Sequence, residues 1–530
     1  MGKLSFGGRK KNGGSEENFR KKIVVMRIDP EDDFDNITRE TEVRFQERKY
    51  DVDEPVTVKK RKPLNDVSFS DGEFQVEQGE LVRYLGKGGD VVIPRGVKVI
   101  GDKVFWWCRA LTSVVIPKGV EWIGDDAFNG CERLKKIVIP KGVEWIGTRA
   151  FAWCSGLVSA ELPGGAESIG QNAFWGCVSL KTLTVPRDVR SIGNNAFYGC
   201  KELSSAVISG GTRYIGNSAF EGCRKMKELI IGEGVEHIGE RAFSKCDGLK
   251  TVFLPYGLKS IGNGAFYCCK HLKKVDIPNS AEVIGADAFC GCESLKTVQV
   301  PENVKSLGER VFWGCLALKK VWIFDGVEHI GERSFQWCIS LKKIRIPSSV
   351  KSIGDRAFLG CGLTEAVIPE GVESIGVKVF YYCRSLRRFK IAKSVGRIGD
   401  RAFSSCDRLR KAIIPKGVKT VGEGVFFECK KLKRVVISKG VQSLGEEAFR
   451  DCPSLKRVIV RNGLTAFKKG TFCGCKALVS VDIPESLTCV EPEAFEGCEN
   501  IRKFRVSKKN PVYTAYKGGL SGIDDKNIYV

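Results

Sequence analysis

Residues 116–138 read IPKGVEWIGDDAFNGCERLKKIV, and close copies of this 23-residue unit follow one another from residue 93 to residue 505. With its positions numbered 1 to 23, position 13 is Phe and position 16 is Cys in all eighteen copies. Position 9 is Gly in the first sixteen copies, and position 19 is Leu except at Met226 and Ile501. A fixed short period of this kind predicts a solenoid, in which each turn buries a thin apolar layer against its neighbours.

The unit divides into two extended pieces and a corner. The stretch L-x-x-V-x-I-P, as in residues 134–140, alternates apolar and polar positions, which indicates a half-buried strand that ends at proline. The second piece, V-x-x-I-G, ends at the position 9 glycine, for which we expect a positive φ. We expect D-x-A-F-x-x-C to form one short helical turn. The step shortens to 22 residues between Cys361 and Cys383, which predicts a local kink.

The combined pattern L-x-x-V-x-I-P-x-G-V-x-x-I-G-x-x-A-F-x-x-C, from about residue 74 to 515, resembles the BspA-like class of leucine-rich repeats. In the unit quoted above it is carried by Pro117, Gly124, Ala127, Phe128 and Cys131. The resemblance implies a curved, mainly β leucine-rich repeat solenoid of about 18 repeats, with one sheet on its concave side. It also implies binding or adhesion, often at a microbial cell surface, as the usual role.

Four segments are expected along the chain. Residues 1–72 form a non-repeating N-terminal arm, partly disordered or a small β-unit, and residues 73–92 form a capping hairpin. The solenoid spans residues 93–506, and residues 507–530 form a C-terminal cap or tail. Lys468 and Glu491 replace the position 9 glycine in the last two copies, as expected where repeats approach a cap.

The net charge of +23 is unevenly distributed. Residues 1–80 hold 16 Lys and Arg against 18 Asp and Glu, so the remaining 70 and 45 make the solenoid basic. Most copies carry Lys or Arg at position 20 or 21, which stacking would turn into ladders of like charge at the start of the concave strands. Such ladders suit a polyanion or an acidic protein surface. The alternative is that these lysines only keep the repeat soluble.

Position 23 is expected to face outward from the middle of the concave sheet, yet ten of the eighteen copies are apolar there. These are Val115, Val138, Val207, Ile230, Phe253, Trp322, Val367, Ile413, Val436 and Ile459. An exposed apolar strip indicates a contact surface. The alternative, that β-branched residues favour any strand, explains the valines better than it explains Trp322.

Basic and apolar outward positions are densest between residues 253 and 457. The predicted contact residues on the concave face are Phe253, Lys274, Lys320, Trp322, Lys343, Arg345, Arg388, Lys390, Lys411, Arg434 and Arg457. The sequence therefore predicts a non-enzymatic recognition scaffold for a macromolecular partner, with a protein bearing acidic patches favoured. The alternatives are a nucleic-acid or anionic-glycan binder, and a microbial surface adhesin exported without a leader.

A second aromatic set occupies positions 14 and 15. It consists of Trp106, Trp107, Trp153, Trp175, Tyr198, Tyr267, Trp313, Trp337, Tyr381, Tyr382 and Phe427. These side chains either pack between neighbouring turns or form another contact face, and the sequence leaves both interpretations open.

Motifs for catalysis or metal binding are missing from the sequence. Eighteen of the 22 cysteines form the position 16 column and are expected to be buried free thiols. No C-x-x-C spacing points to zinc, and His237 and His329 are four repeats apart. We therefore expect no enzymatic activity and no cofactor.

The chain begins MGKLSFGGRKKNGGSEENFRKK, which has no apolar core of a secretory signal and carries Phe6 where a myristoylation motif needs Ser or Thr. No stretch has the length of a transmembrane helix. These features favour an intracellular protein, whereas the family resemblance keeps the cell surface possible.

Overall fold

The computed structural model describes residues 67–516 and 519–522. The repeats in this part of the chain stack as a parallel β-solenoid, so the predicted fold class is confirmed. Each repeat adds one short strand and, with a single exception, one long strand. Of the arm predicted for residues 1–72, residues 1–66 lie outside the described residues.

The long strands come from the L-x-x-V-x-I segments, and inward residues such as Leu134, Ile137 and Ile139 are buried. Their bounds are Gly89–Val92, Leu111–Val115, Lys136–Val138, Ser159–Glu161, Thr182–Val185, Ser205–Ile208, Glu228–Ile231, Thr251–Phe253, Lys274–Asp276, Thr297–Val300, Lys320–Ile323, Glu365–Ile368, Arg388–Ile391, Lys411–Ile414, Arg434–Ile437, Arg457–Val460, Ser480–Ile483 and Lys503–Val506.

The short strands come from the V-x-x-I-G segments and pair in parallel from one turn to the next, except between Ser443–Leu444 and Ala466–Phe467. Their bounds are Val99–Ile100, Trp122–Ile123, Trp145–Ile146, Ser168–Ile169, Ser191–Ile192, Tyr214–Ile215, His237–Ile238, Ser260–Ile261, Val283–Ile284, Ser306–Leu307, His329–Ile330, Ser352–Ile353, Ser374–Ile375, Arg397–Ile398, Thr420–Val421, Ser443–Leu444, Ala466–Phe467 and Cys489–Val490.

Antiparallel strands lie at both ends of the repeats. Phe69–Ser70 pairs with Phe74–Glu77, which pairs with Glu80–Tyr84, and the last of these continues in parallel into Val99–Ile100. At the other end, Tyr513–Tyr516 pairs with Gly519–Gly522.

The ladder of long strands is interrupted once near its start, between Leu111–Val115 and Lys136–Val138, and twice in the second half of the solenoid. Residues 343–346 form no strand, and this gap immediately precedes the repeat that lacks one residue. The other gap in the second half separates Arg388–Ile391 from Lys411–Ile414. There Phe389 occupies position 22, where the adjacent copies have Ala366 and Ala412. Its ring lies 4.5 Å from that of Phe403, measured between ring centroids.

The corner after each short strand is a series of turns and not the expected helical turn. Among the described residues only Pro492–Phe495 forms a 3-10 helix. Position 15 has a positive φ in all eighteen copies, for example Trp107 at 56° and Gly130 at 79°. Nine copies place glycine there and nine do not. The backbone therefore uses the left-handed conformation even where the side chain is a bulky one.

The position 9 glycines serve a different purpose from the one expected, because none of them has a positive φ. A Cβ atom at Gly124 would lie 2.8 Å from the backbone nitrogen of Asp102, and one at Gly170 would lie 2.5 Å from the carbonyl oxygen of Gly147. Glycine is needed here because consecutive turns approach each other through their backbones.

The core consists of two columns that run through the stack. Phenylalanine rings at position 13 lie parallel, with centroids between 4.9 Å for Phe105–Phe128 and 5.7 Å for Phe289–Phe312. Each position 16 thiol from Cys131 to Cys498 donates a hydrogen bond to the position 13 carbonyl oxygen of the preceding turn, as Cys131 Sγ does to Phe105 at 3.2 Å. Cysteine therefore fills the layer as a small apolar group and also satisfies a buried acceptor.

Candidate functional site

The outward side chains of the long strands, at positions 20, 21 and 23, form a surface that we call the long-strand face. Strand register aligns them from turn to turn: Lys411 is opposite Arg434, and Arg434 is opposite Arg457. Position 22 points inward between them and is buried, as at Val435 and Val458. Because every turn repeats this register, equivalent positions become continuous columns.

The predicted contact residues all lie on the long-strand face. Phe253 is 66 % exposed and Trp322 is 44 % exposed. Arg457 is half-buried, and the other basic members are exposed: Lys274, Lys320, Lys343, Arg345, Arg388, Lys390, Lys411 and Arg434.

The apolar column at position 23 is less continuous than expected. Seven of its ten apolar members are exposed, whereas Val207 and Val436 are half-buried. The expectation of outward exposure is wrong for Ile459, which is only 4 % exposed. The neighbours of Ile459 in the column, Val436 and Asp482, are half-buried, so side chains of adjacent turns cover the C-terminal end of the apolar column.

Few of the face's cations are neutralised by carboxylates. The Lys274 ammonium lies 2.7 Å from Asp276, and the Arg388 guanidinium lies 2.8 Å from Glu365 and lowers the pKa of that carboxyl group. Within the described part of the chain, six others have no carboxylate within 4 Å: Lys320, Lys343, Arg345, Lys390, Lys411 and Arg434. Like charges aligned across neighbouring strands repel one another, so a bound anionic group would relieve the repulsion.

Two exposed aromatic side chains beside the face were not predicted. Tyr256 is 84 % exposed and follows the strand that ends at Phe253, and Phe324, also exposed, follows the strand that ends at Ile323. They occupy positions 3 and 2 of their repeats. The signal that could have found them is an aromatic residue where most copies have proline or a small or charged residue.

The second aromatic set fits both of the interpretations that the sequence left open. A Cβ atom at Gly130 would lie 2.8 Å from the Trp107 ring, and one at Gly360 would lie 2.4 Å from the Trp337 ring. These indoles therefore pack over the glycine of the next turn. Trp106, Trp107, Trp153 and Tyr198 nevertheless remain exposed.

Groups that could perform chemistry are dispersed along the solenoid. Among the described residues, no three His, Cys, Asp or Glu side chains lie together as metal ligands would. His237 Nδ1 and His329 Nδ1 each lie 2.8 Å from a serine hydroxyl, on Ser260 and Ser352. Burial raises the pKa of thiols such as Cys177, which keeps them in the neutral form. No helix in the described ranges is long and apolar enough to span a bilayer.

Parallel turns, a repeated phenylalanine–cysteine core and one outward strand face define a leucine-rich repeat scaffold. The family model described as "BspA type Leucine rich repeat region (6 copies)" matches residues 87–204, 190–319, 311–433 and 397–516. The chain belongs to this family of BspA-type leucine-rich repeat proteins.

Solved structures of other proteins are similar to this chain. A leucine-rich repeat protein from Bacteroides ovatus ATCC 8483 is 34 % identical, with 61 % of this chain and 86 % of that chain covered and a TM-score of 0.56. The pneumococcal vaccine antigen PcpA is 23 % identical over 62 % of this chain and 84 % of its own, with a TM-score of 0.41. A search of curated protein sequences finds no match.

Proposed function

We propose that this protein is a non-enzymatic recognition scaffold that binds a macromolecular partner on the part of the long-strand face between Phe253 and Arg457. The observation that carries the proposal is the combination of aligned, unneutralised cations with exposed apolar side chains on one surface. Neither feature is needed to build the solenoid, because the outward positions do not contribute to its core.

A protein with acidic patches fits this surface best. Trp322 and Phe253 offer apolar contact area of the kind that dominates protein interfaces. Lys320 and Lys343, beside Trp322, would pair with carboxylates and steer the encounter. A partner that offers both carboxylates and apolar side chains therefore uses the whole surface.

The test compares capture of partners from a cell extract by the full chain and by a triple variant, Trp322→Ala with Lys320→Glu and Lys343→Glu. The expected result is an acidic protein whose captured amount falls at least ten-fold with the variant. The melting temperature should stay unchanged, because all three side chains point away from the core.

A matched control carries the same types of change on the other half of the face: Ile230→Ala with Lys227→Glu and Lys250→Glu. All three residues are exposed: Ile230 lies in the position 23 column of Trp322, and Lys227 and Lys250 lie at position 20, next to the position 21 column of Lys320 and Lys343. The control should capture the partner as the natural chain does. Equal capture by the natural chain and the Trp322 variant would reject the proposed surface.

A polyanion is the second candidate, favoured by the in-register cations Lys411, Arg434 and Arg457, which have no carboxylate between them. Its affinity would fall steeply with salt, with log K decreasing by roughly 0.9 per neutralised phosphate of a duplex for each unit of log salt. Filter binding with a DNA duplex and with heparin at several salt concentrations tests it. A response that does not change with salt removes this candidate.

The same binding role is open to an intracellular scaffold and to a microbial surface adhesin. Antibody staining of source cells with and without permeabilisation would distinguish an intracellular scaffold from a surface adhesin. Staining of intact cells would favour the adhesin.

A further inference from the structure

A second surface lies at the corner turns near the N-terminal end of the solenoid, away from the long-strand face. We propose that Trp153, Trp175 and Tyr198, together with the neighbouring amide side chains, form a binding site for a single chain of a neutral polysaccharide. The proposal does not depend on the function proposed for the basic face.

The three rings form a continuous ridge whose outer rings, Trp153 and Tyr198, are exposed and whose middle ring, Trp175, is half-buried. Trp153 and Trp175 have ring centroids 5.3 Å apart, and Trp175 and Tyr198 have centroids 6.4 Å apart. Trp153 is 46 % exposed and Tyr198 is 37 % exposed. Exposed aromatic faces can stack on the C–H-rich faces of sugar rings as they do on other flat or apolar groups. The planes are inclined by 50° and 75°, so the ridge suits a twisted single chain better than a flat crystalline surface.

The backbone at Trp153 shows that this ring is placed against local preference. Trp153 has a φ of 57°, in the left-handed region that glycine adopts without strain. Nine other copies use glycine at this position. The other eight copies without glycine hold their side chains in the same conformation, and the Trp153 ring packs over Gly176 of the next turn, so the repeat fixes the ring and leaves its outer face for contact.

Open space lies beside the ridge. Gly199 and Gly222 follow Gly176 at position 15 in successive turns. A Cβ atom at Gly199 would meet nothing within 4 Å, and one at Gly222 would come no closer than 3.8 Å to Gly199. The backbone next to Tyr198 is therefore bare, and a ligand that stacks on the rings has room at their side.

The neighbouring side chains are neutral amides. Three consecutive copies place only uncharged residues at positions 10 and 11, namely Gln171, Asn172, Asn194, Asn195, Asn217 and Ser218. The backbone nitrogens of Trp175 and Tyr198 donate hydrogen bonds to the carbonyl oxygens of Asn172 and Asn195, each at 3.0 Å. Each of these two asparagines therefore lies beside a ring of its own repeat.

These amides are available, and the charged side chains before Trp153 and after Tyr198 are paired: Glu221, in the turn after Tyr198, lies 3.3 Å from Arg241 and 3.4 Å from Lys245. Within the described residues, the side chains of Gln171, Asn172 and Asn195 have no hydrogen-bond partner. Arg149, in the preceding copy, is paired through both Nε and Nη2 with Asp126 at 2.8 Å.

This combination favours sugar hydroxyls over a proline-rich peptide. An amide both donates and accepts hydrogen bonds, and so does a hydroxyl group. A polyproline helix has no backbone N–H at its prolines, so it would leave the amide oxygens without donors. The lack of net charge at the ridge also separates this site from an anionic ligand.

The test is native affinity electrophoresis of the full chain in gels that contain a soluble mixed-linkage β-glucan, a mannan or an arabinoxylan. We expect retardation by at least one of these polysaccharides. Trp153→Gly should weaken that retardation at least ten-fold, and its melting temperature should change no more than that of Trp337→Gly, because both changes remove a ring packed over a glycine and relieve the same backbone strain.

Trp337→Gly is the matched control, since Trp337 has the same position and a φ of 62° but lies among charged residues such as Arg333 and Arg356. It should leave retardation unchanged, as should the Trp322 triple variant of the basic face. Three results would each overturn the proposal: no retardation by any of the three polysaccharides, retardation unaffected by Trp153→Gly, or binding only to a polyproline peptide.

Discussion

The N-terminal half of the long-strand face, from Leu111 to Phe253, carries one lysine and two glutamates at positions 21 and 23. The C-terminal half, from Lys274 to Val460, carries nine Lys and Arg against two carboxylates at the same positions. Both halves point apolar residues inward at positions 19, 22 and 1, and wherever neighbouring long strands pair they keep the same register. The difference shows that the repeat leaves these outward positions free, so the cations of the second half are not a requirement of folding.

The halves also differ in how regularly their strands pair. The ladder is continuous from Lys136–Val138 to Lys320–Ile323; one gap precedes this stretch, after Leu111–Val115, and two gaps follow it in the basic half. Of these two, one precedes the 22-residue repeat and the other is at Phe389. The shared repeat therefore tolerates local departures in the half that we propose to be functional.

The largest effect is expected when a phenylalanine ring like that of Phe389 is placed in a long strand of the N-terminal half. Ala206→Phe should lower the free energy of unfolding by about 2–3 kcal/mol, because Ala206 is fully buried and the added volume strains the layer. It should also speed amide exchange in Ser205–Ile208. The reciprocal change, Phe389→Val, should let Arg388–Ile391 pair with Lys411–Ile414 and therefore slow amide exchange in both strands. Normal exchange at Ser205–Ile208 in the first variant would show that ring size does not cause the gap.

A smaller effect is expected from removing one cation in each half. Arg434→Thr should raise the free energy of unfolding by roughly 0.3–0.5 kcal/mol at low salt, because Arg434 lies between Lys411 and Arg457. The gain should vanish at about 1 M salt, where charges are screened within roughly 3 Å.

Lys136→Thr provides the comparison, since Lys136 is paired with Glu161 at 2.6 Å. Removing it should give a small loss of stability, of the opposite sign, under the same conditions. Urea unfolding at two salt concentrations measures both variants. A stability gain from both, or from neither, would contradict the charge difference between the halves.

The smallest effect is expected from replacing His237, which lies in the short strand His237–Ile238. Burial lowers the pKa of His237, whose ring also stacks on Tyr214 at 5.0 Å between centroids. A depressed folded pKa means that the neutral ring stabilises the fold above the unfolded pKa, near 6.5. This contribution is lost as pH falls through the folded pKa. His237→Asn should therefore flatten the decrease in melting temperature below pH 6.5, and an unchanged pH profile would refute this.

The stacking of turns and the inward and outward assignment of the long strands followed from the sequence. Two periodicities determine them, 23 along the chain and 2 within each strand, and side chains as different as Phe253 and Lys320 obey both. The deletion before Leu363 also pointed to the region where the long-strand ladder is interrupted.

Other features depend on contacts between turns that spacing does not encode. The position 9 glycines were assigned a positive φ, yet they permit backbone contact, and the left-handed residues stand at positions 11 and 15 instead. The burial of Ile459 depends on side chains in neighbouring turns. The amide row beside Trp175 becomes a possible site only when turn geometry places it next to the rings.

The cysteine column gives each layer of the molecule its own chemical reporter. Every position 16 thiol from Cys131 to Cys498 is buried and hydrogen-bonded to the turn before it, whereas Cys108, in the first copy, is only half-buried. A thiol reagent can modify an interior column member only when its layer opens. The order of modification along the chain, read by mass spectrometry, would therefore record whether the stack frays from its ends or parts first at the interrupted layers near Cys361 and Cys383.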